Sequence, residues 1–364
     1  MNYNSYDNPF GVEPRYDFYD NLVTQDAKRA TSRTFLGLFF LLLSAYGLIF
    51  TVSIILAFAL GEDGYYALYS NVYFNTLMST LPLYVVGLPI CYVTLRNVPV
   101  RKINRTGMRT REFLALIPVS FALMILGNYI GVAINEFFAI LKGDEISNST
   151  IDALSSAPAW LSFVLAIVIG PIIEEFIFRK LLIDRLSVYG SVFAIVLSSV
   201  AFGLFHGNLY QFFYAALLGA VLGYIYVNSG SWLLSALMHI ILNFLGGFLP
   251  MLLDDAMVAY NEFAFEYSEL LASGGDIDAF IEGISSSQMA SLLFVSLYVM
   301  LQYALIIGGV VILVLAIRKR WIHVDNSCTV KIPKGRTGTV VFKNVGSILF
   351  LVFTALTMIL SITA

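Results

Sequence analysis

From Phe35 onward the chain alternates long apolar runs with short polar breaks. Nine runs have roughly the length needed to cross a bilayer: Phe35–Leu60, Val72–Leu95, Phe113–Leu141, Trp160–Arg179, Ser191–His206, Leu209–Val227, Trp232–Leu249, Ala290–Ile317 and Val345–Ile362. Lipid offers the backbone no water, so only helices or closed barrels span it, and runs of this length are helical. The pattern predicts an all-α fold, a polytopic membrane helical bundle of about nine transmembrane helices. Residues 1–34 read as a polar, loosely ordered cytosolic N-terminal tail without a cleavable signal peptide. Residues 35–159 supply the N-terminal transmembrane helices and 160–250 a candidate catalytic core. An acidic extracytoplasmic insert (251–289) and the C-terminal transmembrane helices (290–364) follow.

Composition agrees. The chain is 59% hydrophobic and 12% charged, against roughly 25% charged residues in soluble domains. Neither basic patch nor interleaved aromatics point to nucleic acid, so the expected partner at this level is the lipid bilayer. Cys91 and Cys328 show no spacing that suggests a disulfide framework or a zinc ribbon.

Charge also predicts orientation. Lys28, Arg29 and Arg33 precede the first span, Arg96, Arg101, Lys102, Arg105, Arg109 and Arg111 fill the second loop, and Arg179, Lys180 and Arg185 follow the fourth span. A further basic group, Arg318 to Lys343, joins the last two spans. The alternate loops carry Glu62 and Asp63, then Asp144, Glu145 and Asp152, then eight acidic residues and no lysine or arginine in the insert beginning at Asp254. Nine spans with a cytosolic N-terminus put every basic loop inside. The style of the sequence suggests a bacterial plasma membrane.

Against this background a few polar side chains stand out. An intramembrane charge costs roughly 2.5–3.5 kcal/mol on insertion scales, so Glu174, Glu175 and Arg179 need a reason. The adjacent glutamates point about 100° apart on a helix, which bars them from the same role. Glu175 stands four residues before Arg179, in the favourable order for a structural ion pair, leaving Glu174 free to act. Pro171 removes a backbone donor nearby and predicts a kink or a water pocket. Glu174 and His206 each lie 16 residues from Gly190; across an antiparallel hairpin they reach similar depth and could share one water. Phe202, one turn before His206, can pack beneath its ring. His239 and Asn243 share a face of the seventh span. Gly219-x-x-x-Gly223 suggests close helix packing. His323, in a basic loop, reads as ordinary solvated histidine. A single intramembrane histidine is more often a helix–helix hydrogen-bond partner than a catalyst, and Asn243 could merely join helices. Three ordered signals with an unpaired glutamate are much harder to explain that way.

Glu174-Glu175-x-x-x-Arg179, Phe202-x-x-x-His206 and His239-x-x-x-Asn243 together resemble the signature of the CPBP family, the CAAX-protease and bacteriocin-processing (Abi) intramembrane endopeptidases. The resemblance covers about Trp160–Leu249. It implies a hydrolase in which Glu174, as general base, and His206 activate a water, while His239 and Asn243 hold the oxyanion. Glu175, Arg179 and Phe202 are then structural support. The implied substrate is a membrane-associated peptide, prenylated or of bacteriocin or signal type. The family is often labelled metalloprotease, and Glu174, His206 and His239 could hold zinc. With no H-E-x-x-H present and asparagine a poor ligand, a metal-free mechanism without cofactor is expected. The competing reading is a non-catalytic scaffold or regulator that binds partner helices, since fold does not fix function. A scaffold, however, needs none of the four site residues.

Overall fold

The computed structural model describes residues 15–104, 106–148, 156–325 and 328–363; Arg105 and Asp152, counted in the loops above, lie outside them. Every regular element among the described residues is helical. In chain order they are α1 (Arg15–Tyr69), α2 (Val72–Leu95), α3 (Thr110–Lys142), α4 (Ala159–Tyr189), α5 (Ser191–Phe205), α6 (Leu209–Ser229), α7 (Trp232–Leu252), α8 (Asp254–Ser273), α9 (Ile277–Glu282), α10 (Ser286–Arg318), α11 (Thr337–Phe342) and α12 (Val345–Thr363). Eight of them are long and apolar enough to span a membrane. The fifth predicted crossing, α5, has only 15 residues.

The protein is an all-α polytopic membrane bundle, and its basic loops gather at one end. The Arg101 N–H donates to Asp184 O (2.7 Å), and Thr106 Oγ1 donates to Asn228 O (2.7 Å). The Thr329 and Val330 amides share Val188 O (2.9 and 3.0 Å). Arg185, buried at this end, donates to Leu95 O through Nε (3.1 Å) and Nη2 (3.0 Å). A cation thereby caps the carbonyl end of α2, where the helix dipole is negative.

One expectation is revised. The first helix begins at Arg15, so residues 15–34 are not a loose tail. Val23, Thr24, Ala27, Ala30, Thr31 and Thr34 form a buried seam along it, and the Ser32 hydroxyl accepts from the Gly346 N–H of α12 at 3.0 Å. The acidic insert is a helical hairpin, α8–α9, turned at Gly274 (φ 69°) and held by Phe263, Tyr267 and Phe280 rings with centroids 5.3–6.1 Å apart.

Between the long helices apolar side chains fill the interior in two larger clusters and a smaller one around Ile183, Leu186, Ala194 and Tyr226. One of the larger two joins α1, α2, α4 and α5 through Leu38, Leu41, Leu95, Phe178 and Leu182; the other joins α3, α6 and α7 through Phe121, Leu218, Leu222, Met238 and Leu242. Small residues permit the tightest approaches, as expected where lipid supplies no hydrophobic drive. A β-carbon on Gly219 would lie 3.1 Å from Ser199 Cα, and one on Gly223 3.2 Å from Ile195 Cγ2, so that stripe packs on α5. At Gly131 of α3 it would lie 2.8 Å from Leu209 O and 2.9 Å from Tyr210 O, both backbone atoms of α6.

Replacing Gly131 by alanine therefore forces α3 and α6 apart, with an expected loss of about 1–3 kcal/mol, the usual cost of overpacking. Gly47→Ala, with no atom within 4 Å of the added carbon, is the control. Unfolding of both variants in detergent should separate them; equal stability would contradict the packing described.

Candidate active site

The backbone of α4 is unusual around the two glutamates. It winds wide, with i→i+5 bonds, over Phe163–Ile169 and again over Phe176–Ile183. Gly170–Glu175 forms an ordinary α-helical step between them. Such widened turns concentrate at functional sites. Here the first has a local cause. The Gly170 amide donates to Leu165 O, so the next bond in that register would run from residue 171 to Ala166 O. Pro171 has no N–H to give. Asn243 supplies the missing donor from α7, with Nδ2 3.3 Å from Ala166 O. One N–H of this amide thus joins helices, as the more conservative reading of Asn243 proposed.

Glu175 and Arg179 meet as the sequence spacing suggests. Nε donates to Oε2 at 2.7 Å and Nη2 to Oε1 at 3.2 Å, with both side chains fully buried. Nη1 donates to Ser198 Oγ of α5 at 3.0 Å, and that hydroxyl donates to Phe178 O at 2.9 Å. The guanidinium lies 5.4 Å from the Phe202 ring centroid. Ser198, a polar residue inside an apolar run and four before Phe202, could have been singled out from the sequence.

His239 enters from α7 and touches both glutamates. Its Nδ1 lies 3.2 Å from Glu175 Oε1, and its Nε2 3.9 Å from Glu174 Oε2. The ring therefore faces the bundle interior. A hydrogen bond at one ring nitrogen sets the orientation of a histidine and the proton occupancy of the other. Glu175 thus acts on His239 as well as on Arg179, a contact that the ion-pair reading missed.

His206 ends α5 and packs against Phe202, ring centroids 5.1 Å apart; Phe202 also meets His239 at 5.6 Å. The Phe202 ring lies against both imidazoles. Glu174 keeps 15% of its side-chain surface exposed, against 0% for Glu175. Together with His206 it lines a cavity of about 370 Å³ bounded further by Tyr46, Tyr69, Asn75 and Ser79. His239 and Asn243 are not among its lining residues. Tyr84 approaches from α2, its hydroxyl 3.2 Å from the β-carbon position of Gly170.

Among the described residues no three histidine, cysteine, aspartate or glutamate side chains are grouped to hold a metal, Glu174, His206 and His239 included. Glu175 occupies His239 Nδ1 and Ala166 O occupies the Asn243 amide. His323 is exposed, and both cysteines are free thiols.

Residues 156–245, which contain all seven of these motif residues, match the family model described as Type II CAAX prenyl endopeptidase Rce1-like. Over these residues the chain is similar to the CAAX protease family. Over 164 residues it is 24% identical to the Bacillus subtilis (strain 168) protein named "Putative membrane peptidase YdiL". That alignment covers 44% of this chain and 66% of the relative, just under two thirds of its length. No solved structure matches the chain. The eight candidate spans and these similarities agree on a multi-pass membrane protein.

Breaking the buried ion pair from one side should cost about 3–5 kcal/mol, because the partner stays charged and unpaired. Arg179→Met and Glu175→Gln are each expected to lose that much, and the double variant to recover much of it. Equal, additive losses in a double-mutant cycle would show that the two do not act as a pair.

Proposed function

We propose that the protein is an intramembrane endopeptidase that hydrolyses a peptide bond in a membrane-associated peptide. The observation that supports this best is the common cavity of Glu174 and His206, with His239 aimed at Glu174. A hydrolase needs a water held by a base and an acceptor for the charge that develops on the carbonyl oxygen. Glu174, the glutamate without an arginine partner, takes the proton from water, and His206 orients that water. The proton then passes to the departing amine, so the new carboxyl and amino termini share one water between them.

His239 and Asn243 serve the oxyanion. With Nδ1 donating to Glu175, Nε2 can donate as well only when the ring carries both protons. Asn243 keeps a second amide N–H besides the one on Ala166 O, and this is the donor assigned to the oxyanion. The reaction is proposed to run without metal, because asparagine is a poor zinc ligand and Glu174, His206 and His239 are not grouped to hold an ion.

Cleavage of a membrane-peptide library in proteoliposomes tests this reading. His206→Ala should lower turnover about 10²–10⁴-fold, the range for a positioned acid–base group. Asn243→Ala should lower it about 10²–10³-fold, as for one oxyanion donor. A chelator should leave the wild type active, and purified active protein should hold no stoichiometric zinc. Folded variants that cut as well as wild type would remove the protease reading, and a partner that co-purifies with an inert wild type would favour a scaffold.

A further inference from the structure

Three features place the opening of the cavity at the end of the bundle opposite the basic loops. The first is the length of α5. Fifteen residues at 1.5 Å each rise about 22 Å, against roughly 30 Å of hydrocarbon. The helix starts after Gly190, beside the Asp184–Arg101 contact at the basic end. Its C-terminal turn at His206 and Gly207 is therefore reached in less than a full hydrocarbon thickness, and Tyr210 just beyond it donates to Ile146 O of the acidic loop at 2.9 Å. Asn208 makes that turn self-sufficient, its Nδ2 donating to His206 O at 3.1 Å and its Oδ1 accepting from Gln211 N–H at 2.9 Å.

The second is the burial of the α1–α2 hairpin. Buried side chains run along α1 from Val23 to Ala45, and none of the residues from Tyr46 to Tyr69 is buried. On α2 none is buried from Val72 to Leu81, whereas Pro82, Gly87, Cys91 and Leu95 are. The basic half of the hairpin is packed against the core, and the acidic half stands away from it.

The third is what fills the space on either side of Glu174. Toward the basic end Leu38, Leu41, Leu95, Phe178 and Leu182 are all fully buried and close the path. Toward the acidic end the cavity continues past polar side chains, Ser79, Asn75 and then Tyr69, whose hydroxyl lies 2.6 Å from Ser53 Oγ. Tyr69 and Asn75 flank the α1–α2 turn itself.

We propose that water and substrate reach Glu174 from the extracytoplasmic side, through the cleft between the α1–α2 hairpin and α5. The substrate class is then a peptide segment that enters the membrane from the outer face, not the C-terminus of a cytosolic protein. Such a strand carries unpaired amide groups into lipid, and the Asn75 amide with the Ser79 and Tyr69 hydroxyls can satisfy them on the way in. The sidedness rests on the positive-inside asymmetry, and the substrate class on the endopeptidase reading.

Asn75→Cys and Ser79→Cys, expressed in intact cells and treated with a charged, membrane-impermeant maleimide, test the route. Native Cys328 in the basic loop serves as the cytosolic reporter, and native Cys91 is fully buried. Both introduced thiols should be labelled in intact cells, while Cys328 reacts only after permeabilisation. Labelling of the introduced thiols only together with Cys328 would overturn the inference, as would silence of both in folded protein whose thiols react after denaturation. The readout needs no turnover. An enzyme that cuts only peptides offered at the cytosolic face would sink the route and keep the endopeptidase; labelled thiols on an inert protein would keep the route and sink the endopeptidase.

Discussion

A buried guanidinium organises this bundle. Arg179 sits where water is excluded, so each of its faces must find a partner or the charge becomes prohibitive. Glu175 takes two of its donors, Ser198 a third, and Phe202 lies against the cation. Those contacts fasten α4 to α5. Glu175 then reaches His239 and fastens α4 to α7. Three helices are pinned by one charge, and the pinning consumes Glu175. Its neighbour, turned by about 100°, is left facing the cavity without a cation of its own.

Departures from regular helix shape the surroundings of that free carboxylate. Pro171 and the widened turn before it leave Ala166 O open, and Asn243 closes it from α7. The short α5 rises less than a hydrocarbon thickness, and the outer half of the first hairpin stands off from the core. Each irregularity would be costly in lipid if left unsatisfied. Together they leave a partly polar cavity beside Glu174 in an otherwise apolar bundle, and the proposed hydrolysis would take its water there.

Much of this was legible in the sequence. Nine apolar runs, with polarity alternating between their loops, gave the bundle and its ends, because both signals are local and additive. Counting from Gly190 placed Glu174 and His206 at one depth, and they do line one cavity. The Glu175–Arg179 contact also followed from spacing, even though the helix widens between them. The Glu175–His239 and Asn243–Ala166 contacts did not. They join residues 64 and 77 apart and depend on how α7 is rotated against α4, which no periodicity encodes. The helical start at Arg15 was hidden as well, since its buried seam is built from Ala, Thr and Val among charged residues and scarcely registers as apolar.

The central claim is that two adjacent glutamates are divided between structure and chemistry. Glu174→Gln tests it most directly, if single-turnover cleavage and unfolding free energy are measured on the same preparation. The account expects cleavage to fall by about 10²–10⁴-fold, the contribution of a general base, with stability at or above wild type because no ion pair is lost. A variant that unfolds readily, yet cuts at the wild-type rate while folded, would contradict it.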